Sequence, residues 1–93
     1  MIKSFKNAET EAAFEGEARK GFPANLLNVA RRKLQMIAAA VVLEDLKTPP
    51  GNRLEALKDD RKGQHSIRVN DQYRICFIWT DGGAKDVEFV DYH

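Results

Sequence analysis

Three groups of side chains in this chain have the types and spacing for acid–base chemistry on a phosphodiester. Glu55 and Lys58 stand three apart and are followed at once by Asp59, Asp60 and Arg61. Arg68 and Arg74 flank a short polar turn within a mainly apolar stretch. Asp91, Tyr92 and His93 close the sequence. Metal-free cleavage of RNA needs few parts. A base takes the proton of a ribose 2′-hydroxyl, a cation stabilises charge building on the phosphoryl oxygens, and an acid protonates the departing 5′ oxygen. Each proton transfer contributes about 10²- to 10⁴-fold, and stabilising the charge is often the larger effect. Glu55, Arg74 with Lys58, and His93 with Asp91 or Tyr92 have the chemistry for these roles. Residue types alone leave open whether Glu55 or His93 is the base. Arginine binds phosphate bidentately, which suits Arg61 and Arg68, with Lys58, to holding RNA.

Each group also has a plainer reading. Lys58 to Arg61 resembles an ordinary solvated charge run, and a terminal Asp-Tyr-His is the usual frayed end of a strand. His65, on an apolar face, reads as a core histidine. Cys76 sits in Ile75-Cys76-Phe77-Ile78-Trp79 and reads as a small buried hydrophobe. Arg31-Arg32-Lys33 reads as a solvated helix face before it reads as a partner or RNA contact.

The elements that must position these groups follow from periodicity and turn chemistry. Residues 2–5 alternate and predict an N-terminal strand. Asn7 predicts a helix cap and Gly21 a helix stop, with Glu9 and Glu11 near the positive end. Pro23 suits the first turn of a second helix, whose stripe is Leu27, Ala30, Leu34, Ile37 and Val41. Glu44 to Leu46 is a last turn or connector, and Thr48-Pro49-Pro50-Gly51 is a loop. Strands are predicted over 53–57, 64–69, 73–79 and from Lys85 or Asp86 to Tyr92. The fold class is α+β, two helices packed on a mainly antiparallel sheet, in the order β-α-α-β-β-β-β.

Register decides where the charges stand. A two-residue loop at Asn70-Asp71 mixes polar and apolar side chains on both faces of the hairpin. A three-residue loop, Asn70 to Gln72, pairs Val69 with Tyr73 and Ile67 with Ile75. His65, Ile67, Val69, Tyr73, Ile75, Phe77 and Trp79 then share one face, and Ser66, Arg68, Arg74 and Cys76 the other. Because a one-residue slip exchanges faces, burial favours the second register. Arg68 and Arg74 then stand together on the open side of the sheet.

The 93 residues predict one domain, residues 1–93, and a core of economical size. Formal net charge is +1, so basic residues must be gathered on one face if the chain meets RNA. From Arg53 to Arg74 there are six basic residues against four acidic ones, a modest excess that this register would focus. A single cysteine forms no internal disulfide and argues against a cysteine-rich metal site. The N-terminal residues lack the apolar core of a signal peptide, and the longest uncharged apolar stretch, Met36 to Leu43, is too short to span a bilayer. A soluble, cytoplasmic protein without membrane contact is expected.

The same residues carry a resemblance. Met1-Ile2-Lys3-Ser4-Phe5 is similar to the opening of the HigB-like toxins, or plasmid maintenance killer proteins, of the RelE/ParE superfamily. So is the run Asn52-Arg53-Leu54-Glu55-Ala56-Leu57-Lys58-Asp59-Asp60-Arg61-Lys62-Gly63-Gln64-His65-Ser66-Ile67-Arg68-Val69-Asn70. The likeness continues through Asp71-Gln72-Tyr73-Arg74-Ile75-Cys76-Phe77 to Asp91-Tyr92-His93, and spans essentially the whole chain.

The resemblance implies a compact RelE-type fold and a toxin of a type II toxin–antitoxin system. The implied activity is messenger-RNA cleavage on the ribosome, in the decoding site of the small subunit, with no metal or organic cofactor. It implies neutralisation by a helix-turn-helix antitoxin of the HigA type, and contact with operator DNA only through that antitoxin. Lys58 and Arg74 match positions associated with phosphate and RNA contact, and Asp91, Tyr92 and His93 match the catalytic end segment. At Glu55 some members carry His, so a proton-transfer scheme built on that His does not transfer. Asp59 replaces a Gly often found before the Asp-Arg pair, which bears on the local turn and on RNA affinity. Two other readings remain: a same-fold toxin acting on DNA gyrase, and an inactive partner that only binds its antitoxin or RNA.

Overall fold

The computed structural model describes residues 1–92 of the chain. Helix α1 is Ala8–Phe14 and helix α2 is Leu27–Ala39. Four strands follow: β1 (Glu55–Ala56), β2 (His65–Arg68), β3 (Tyr73–Thr80) and β4 (Gly83–Asp91). Each pairs antiparallel with the next, in spatial order β1-β2-β3-β4. Short 3-10 turns at Ala24–Leu26, Leu43–Lys47, Pro50–Asn52 and Asp59–Arg61 make the connections.

The expected α+β class holds, but the expected order β-α-α-β-β-β-β is corrected to helices first and strands after. Residues 2 and 5 make only isolated parallel bridges, to Ala84 and Val87. The reason lies in β4. Asp86 takes a left-handed conformation (φ 52°), and the β3–β4 register shifts between Cys76 and Ile78. A bulge bends the strand and interrupts its hydrogen-bonding edge. The N-terminal segment therefore touches β4 above and below the bulge, with Lys3 N–Ala84 O at 2.7 Å and Lys6 N–Val87 O at 2.9 Å. Gly83 permits the upper contact, since a Cβ there would collide with the Met1 carbonyl.

Helix α1 begins where expected. Asn7 Oδ1 accepts from Thr10 N at 2.9 Å, so one of the unpaired first-turn donors is satisfied. It ends at Phe14, about two turns before Gly21, because Gly16 (φ 93°) closes it first. Gly16 N donates to Ala13 O (3.0 Å) and Glu17 N to Ala12 O (2.8 Å), the paired bonds of a Schellman stop. In α2, Ala30, Leu34 and Ile37 are fully buried. The predicted stripe overran at Val41, which is 79% exposed. The chain has already left the helix at Ala40 (ψ 131°). The Asp45 carboxylate receives the N–H groups of Val41 (2.9 Å) and Val42 (3.2 Å), and these bonds hold its pKa below the ordinary value.

The core lies between the two helices and one face of the sheet. It contains Ala13, Ala30, Leu34, Ile37, Ile67, Ile75, Phe77 and Val87. Trp79 packs on its edge against Phe77. No helix among the described residues is long and apolar enough to cross a membrane.

Candidate functional site

The hairpin register follows the burial argument. Ile67 pairs with Ile75, Arg68 with Arg74 and Ser66 with Cys76, and the Val69 N–H bonds to the Tyr73 carbonyl at 3.0 Å. Residues directly opposite in an antiparallel sheet share a face. Glu55, Ser66, Cys76 and Glu88 therefore form one row across the sheet, and Arg68, Arg74 and Val90 the next. This is the face away from the helices. It is less open than the sequence suggested: Ser66 and Cys76 are fully buried, and the turns that flank β1 cover its edge, reaching Arg74 through the Arg53 carbonyl and Glu88 through Arg61.

At the margin of this cover lies a hollow of about 480 Å³ lined by Glu55, Ala56, Leu57, Lys58, Asp59 and Tyr92. Glu55 comes from the two-residue strand β1. Its shortness leaves Lys58 in the extended approach to the 3-10 turn over Asp59–Arg61. Tyr92 arrives from the far side of the sequence, its N–H held by the Gln72 carbonyl at 2.8 Å. A carboxylate, an ammonium and a phenol thus share one polar recess. Asp59 takes a left-handed φ of 55°, so the turn forms with an aspartate at this position, which adds a carboxylate to the recess.

The arginines are each engaged. Arg74 Nε donates to Ser66 Oγ at 2.6 Å and its Nη2 to the Arg53 carbonyl at 2.7 Å. Arg61 Nη1 is shared between Gln64 Oε1 (3.1 Å) and Glu88 Oε1 (3.3 Å). Arg68 pairs with the exposed Asp71. Like charges directly opposite in a sheet repel, and these separate partners let Arg68 and Arg74 stand side by side.

Asp91 is not in the recess. It pairs with Tyr73 on the helix-facing side of β4 and accepts from Gln72 Nε2 at 3.0 Å. There it borders a second hollow of about 320 Å³, with Phe22, Tyr73 and Phe89. Asp91 and Tyr92 are neighbours in sequence and so point to opposite faces. His93 lies outside the described residues. Cys76 has the plain role: it is buried, and desolvation raises its thiol pKa, with Arg61 and Arg74 opposing that rise and Glu88 adding to it. His65, expected as a satisfied core histidine, is half-buried and stacks on Phe77 at a centroid distance of 6.4 Å. Its Nδ1 is buried and meets no partner among the described residues.

Two features escaped the sequence reading. Lys33, assigned to a solvated face, is only 7% exposed. Burial first, then the charges of Arg32 and Arg68, lower its pKa. It donates to Asn52 Oδ1. Ser66 was placed on the correct face but given no part, although its hydroxyl seats Arg74. Among the described residues, no three His, Cys, Asp or Glu side chains gather as a metal-ligand set.

The chain thus presents a four-stranded antiparallel sheet backed by two helices, with a polar recess beside β1. The whole chain superimposes on 98% of a chain in the YoeB–YefM complex from Staphylococcus aureus, with a TM-score of 0.62 at 15% identity, which establishes the shared fold. Residues 3–93 match the family model described as the RelE-like toxin of type II toxin–antitoxin system HigB. Over its full length the chain is 42% identical to 98% of Toxin HigB-1 from Vibrio cholerae. It is 36% identical to the whole of Endoribonuclease HigB from Proteus vulgaris. The chain belongs to this family, the HigB toxins of type II toxin–antitoxin systems, and is a homologue of an endoribonuclease.

Proposed function

We propose that the chain, as a single toxin domain over residues 1–93, cuts messenger RNA in the recess beside β1 and β4, on the ribosome and in the cytoplasm. The observation that carries this reading is the convergence of Glu55, Lys58 and Tyr92 on one hollow. A carboxylate beside an ammonium suits in-line attack by a 2′-hydroxyl. Glu55 takes the proton, and Lys58 and the guanidinium of Arg74 stabilise the phosphoryl charge. The leaving 5′ oxygen takes a proton from the C-terminal segment, where His93 and Tyr92 are the candidates. Asp91, held by Gln72 on the other face, acts by seating that segment. Arg61 and Arg68 extend the basic surface along the RNA. No step calls for a metal or organic cofactor.

The partner is an antitoxin of the HigA type with a helix-turn-helix, through which alone operator DNA is met. The family assignment favours RNA over gyrase. An inactive binding role leaves the joint presence of Glu55, Lys58 and Tyr92 in one recess unaccounted for.

Induction of the chain without antitoxin, followed by mapping of transcript 5′ ends, tests this reading. Cleavage within coding regions that disappears when ribosomes are blocked is expected. Glu55→Gln and Lys58→Met, each folded, should reduce cleavage by about 10²-fold or more. Intact transcripts with DNA breaks would replace the reading by gyrase poisoning. Full cleavage in both variants would move the chemistry elsewhere.

A further inference from the structure

We propose that Asn52, gripped by Lys33, is a positioning residue for RNA cleavage: it fixes the turn whose carbonyl holds the guanidinium of Arg74. The proposal rests on the reading of Arg74 as a phosphate-stabilising cation.

Arg74 is seated from two directions. Ser66, on the neighbouring strand, accepts from Nε at 2.6 Å, and that partner is fixed by the β2–β3 ladder. The other seat, the Arg53 carbonyl at 2.7 Å from Nη2, lies outside any strand. Arg53 sits at φ 46°, ψ 55°, a left-handed conformation unfavourable for a non-glycine residue. Such a conformation persists where its surroundings over-determine it. Those surroundings are Asn52. Although it belongs to a polar turn, Asn52 is completely buried. Its side-chain nitrogen donates to the carbonyls of Leu46 (3.2 Å) and Thr48 (3.3 Å), and its Oδ1 accepts from Lys33 Nζ. The backbone adds Asn52 N–Pro49 O at 2.9 Å and Arg53 N–Pro50 O at 3.1 Å.

Lys33 is the costly member of this group. A buried ammonium is unfavourable unless it is paired and hydrogen-bonded, and an apolar residue would suit that helix position. The charge secures a grip on Asn52 from α2, the helix packed on the opposite face of the sheet. The continuous path runs from Lys33 to Asn52, to the Arg53 carbonyl, to Arg74. A cation placed by two rigid acceptors needs no reorganisation when phosphoryl charge develops.

Asn52→Asp tests this. It keeps the side-chain shape but removes both donors to the Leu46 and Thr48 carbonyls. Transcript cleavage in a translating extract should fall by roughly ten- to a hundredfold, as misplacement of a reacting group does. Nitrogen-15 spectra should show the Arg74 Nη groups, held in the parent protein, rotating freely in the variant. In an Arg74→Ala background the same substitution should cost nothing further, because both changes remove one interaction. A folded Asn52→Asp protein with full cleavage and held Nη groups would overturn the proposal. So would an additive loss in the double variant, while leaving Arg74 its role. Full cleavage by Arg74→Ala alone would overturn both the role and the positioning. If Asn52→Asp does not fold, Lys33→Met carries the same expectations, and the same outcomes decide.

Discussion

The two faces of the sheet are built on opposite terms. Toward the helices, Ile67, Ile75, Phe77 and Val87 are fully buried against Leu34 and Ile37, and the contact is almost wholly apolar. Away from them, the 3-10 turns flanking β1 reach a polar row, the Arg53 carbonyl holding Arg74 and Arg61 pairing with Glu88 beside the buried Ser66 and Cys76. The first face holds the fold by area removed from water, which is insensitive to the exact direction of any one group. The second is held by directed hydrogen bonds, which fix cations in place at little net gain in stability. With the chemistry in the proposed recess, stability and activity fall on different sides of one sheet, and substitutions should separate them.

The largest effect tests the helix-facing side. Phe77→Ala should destabilise the protein by about 3–5 kcal/mol, the range for deleting a buried aromatic, as read from urea midpoints. A loss no larger than that of Ser66→Ala, expected at about 1.5–3 kcal/mol for one hydrogen bond to a charged group, would break the contrast. Ser66→Ala should in turn lower transcript cleavage more than Phe77→Ala does at temperatures where both remain folded.

A smaller effect sharpens the picture of the polar face. Asp59→Gly should stabilise the chain by up to about 1 kcal/mol, because glycine adopts the left-handed conformation (φ 55°) freely. It also removes a carboxylate from the recess, so RNA should bind more tightly and with a steeper salt dependence. Unchanged affinity would place the phosphate path away from Asp59.

The smallest effect concerns the Lys33 ammonium, buried where α2 meets the turn that holds Asn52. The pKa of Lys33 is lowered in the folded chain, so the unfolded chain holds more protons between that lowered value and 10.5. Stability should therefore rise with pH across that alkaline window and be lost as pH falls through the folded value. Lys33→Met should lack this slope, which the difference between the two urea-midpoint profiles reports. Parallel profiles would mean that Lys33 is solvated as an ordinary surface lysine.

Much of this molecule was legible before any coordinates. Period-two alternation with a three-residue turn specified the β2–β3 register, because only that register buries Ile67, Ile75 and Phe77 together. The same alternation placed Arg68, Arg74 and Ser66 on one face, and the Asn7 cap marked the start of α1. Local signals of this kind act through a few neighbouring residues, so the sequence states them directly. Three outcomes depended on contacts distant along the chain. The bulge at Asp86 reduced the N-terminal strand to two bridges. The 50–53 turn captured Lys33 from α2 through Asn52 and so took it out of solvent. The turns flanking β1 engaged Arg74 through the Arg53 carbonyl, brought Arg61 to Glu88, and left Glu55, Lys58 and Tyr92 around one recess. No window of sequence contains both sides of those contacts. Which polar group meets which is decided only when helices, turns and sheet are packed together.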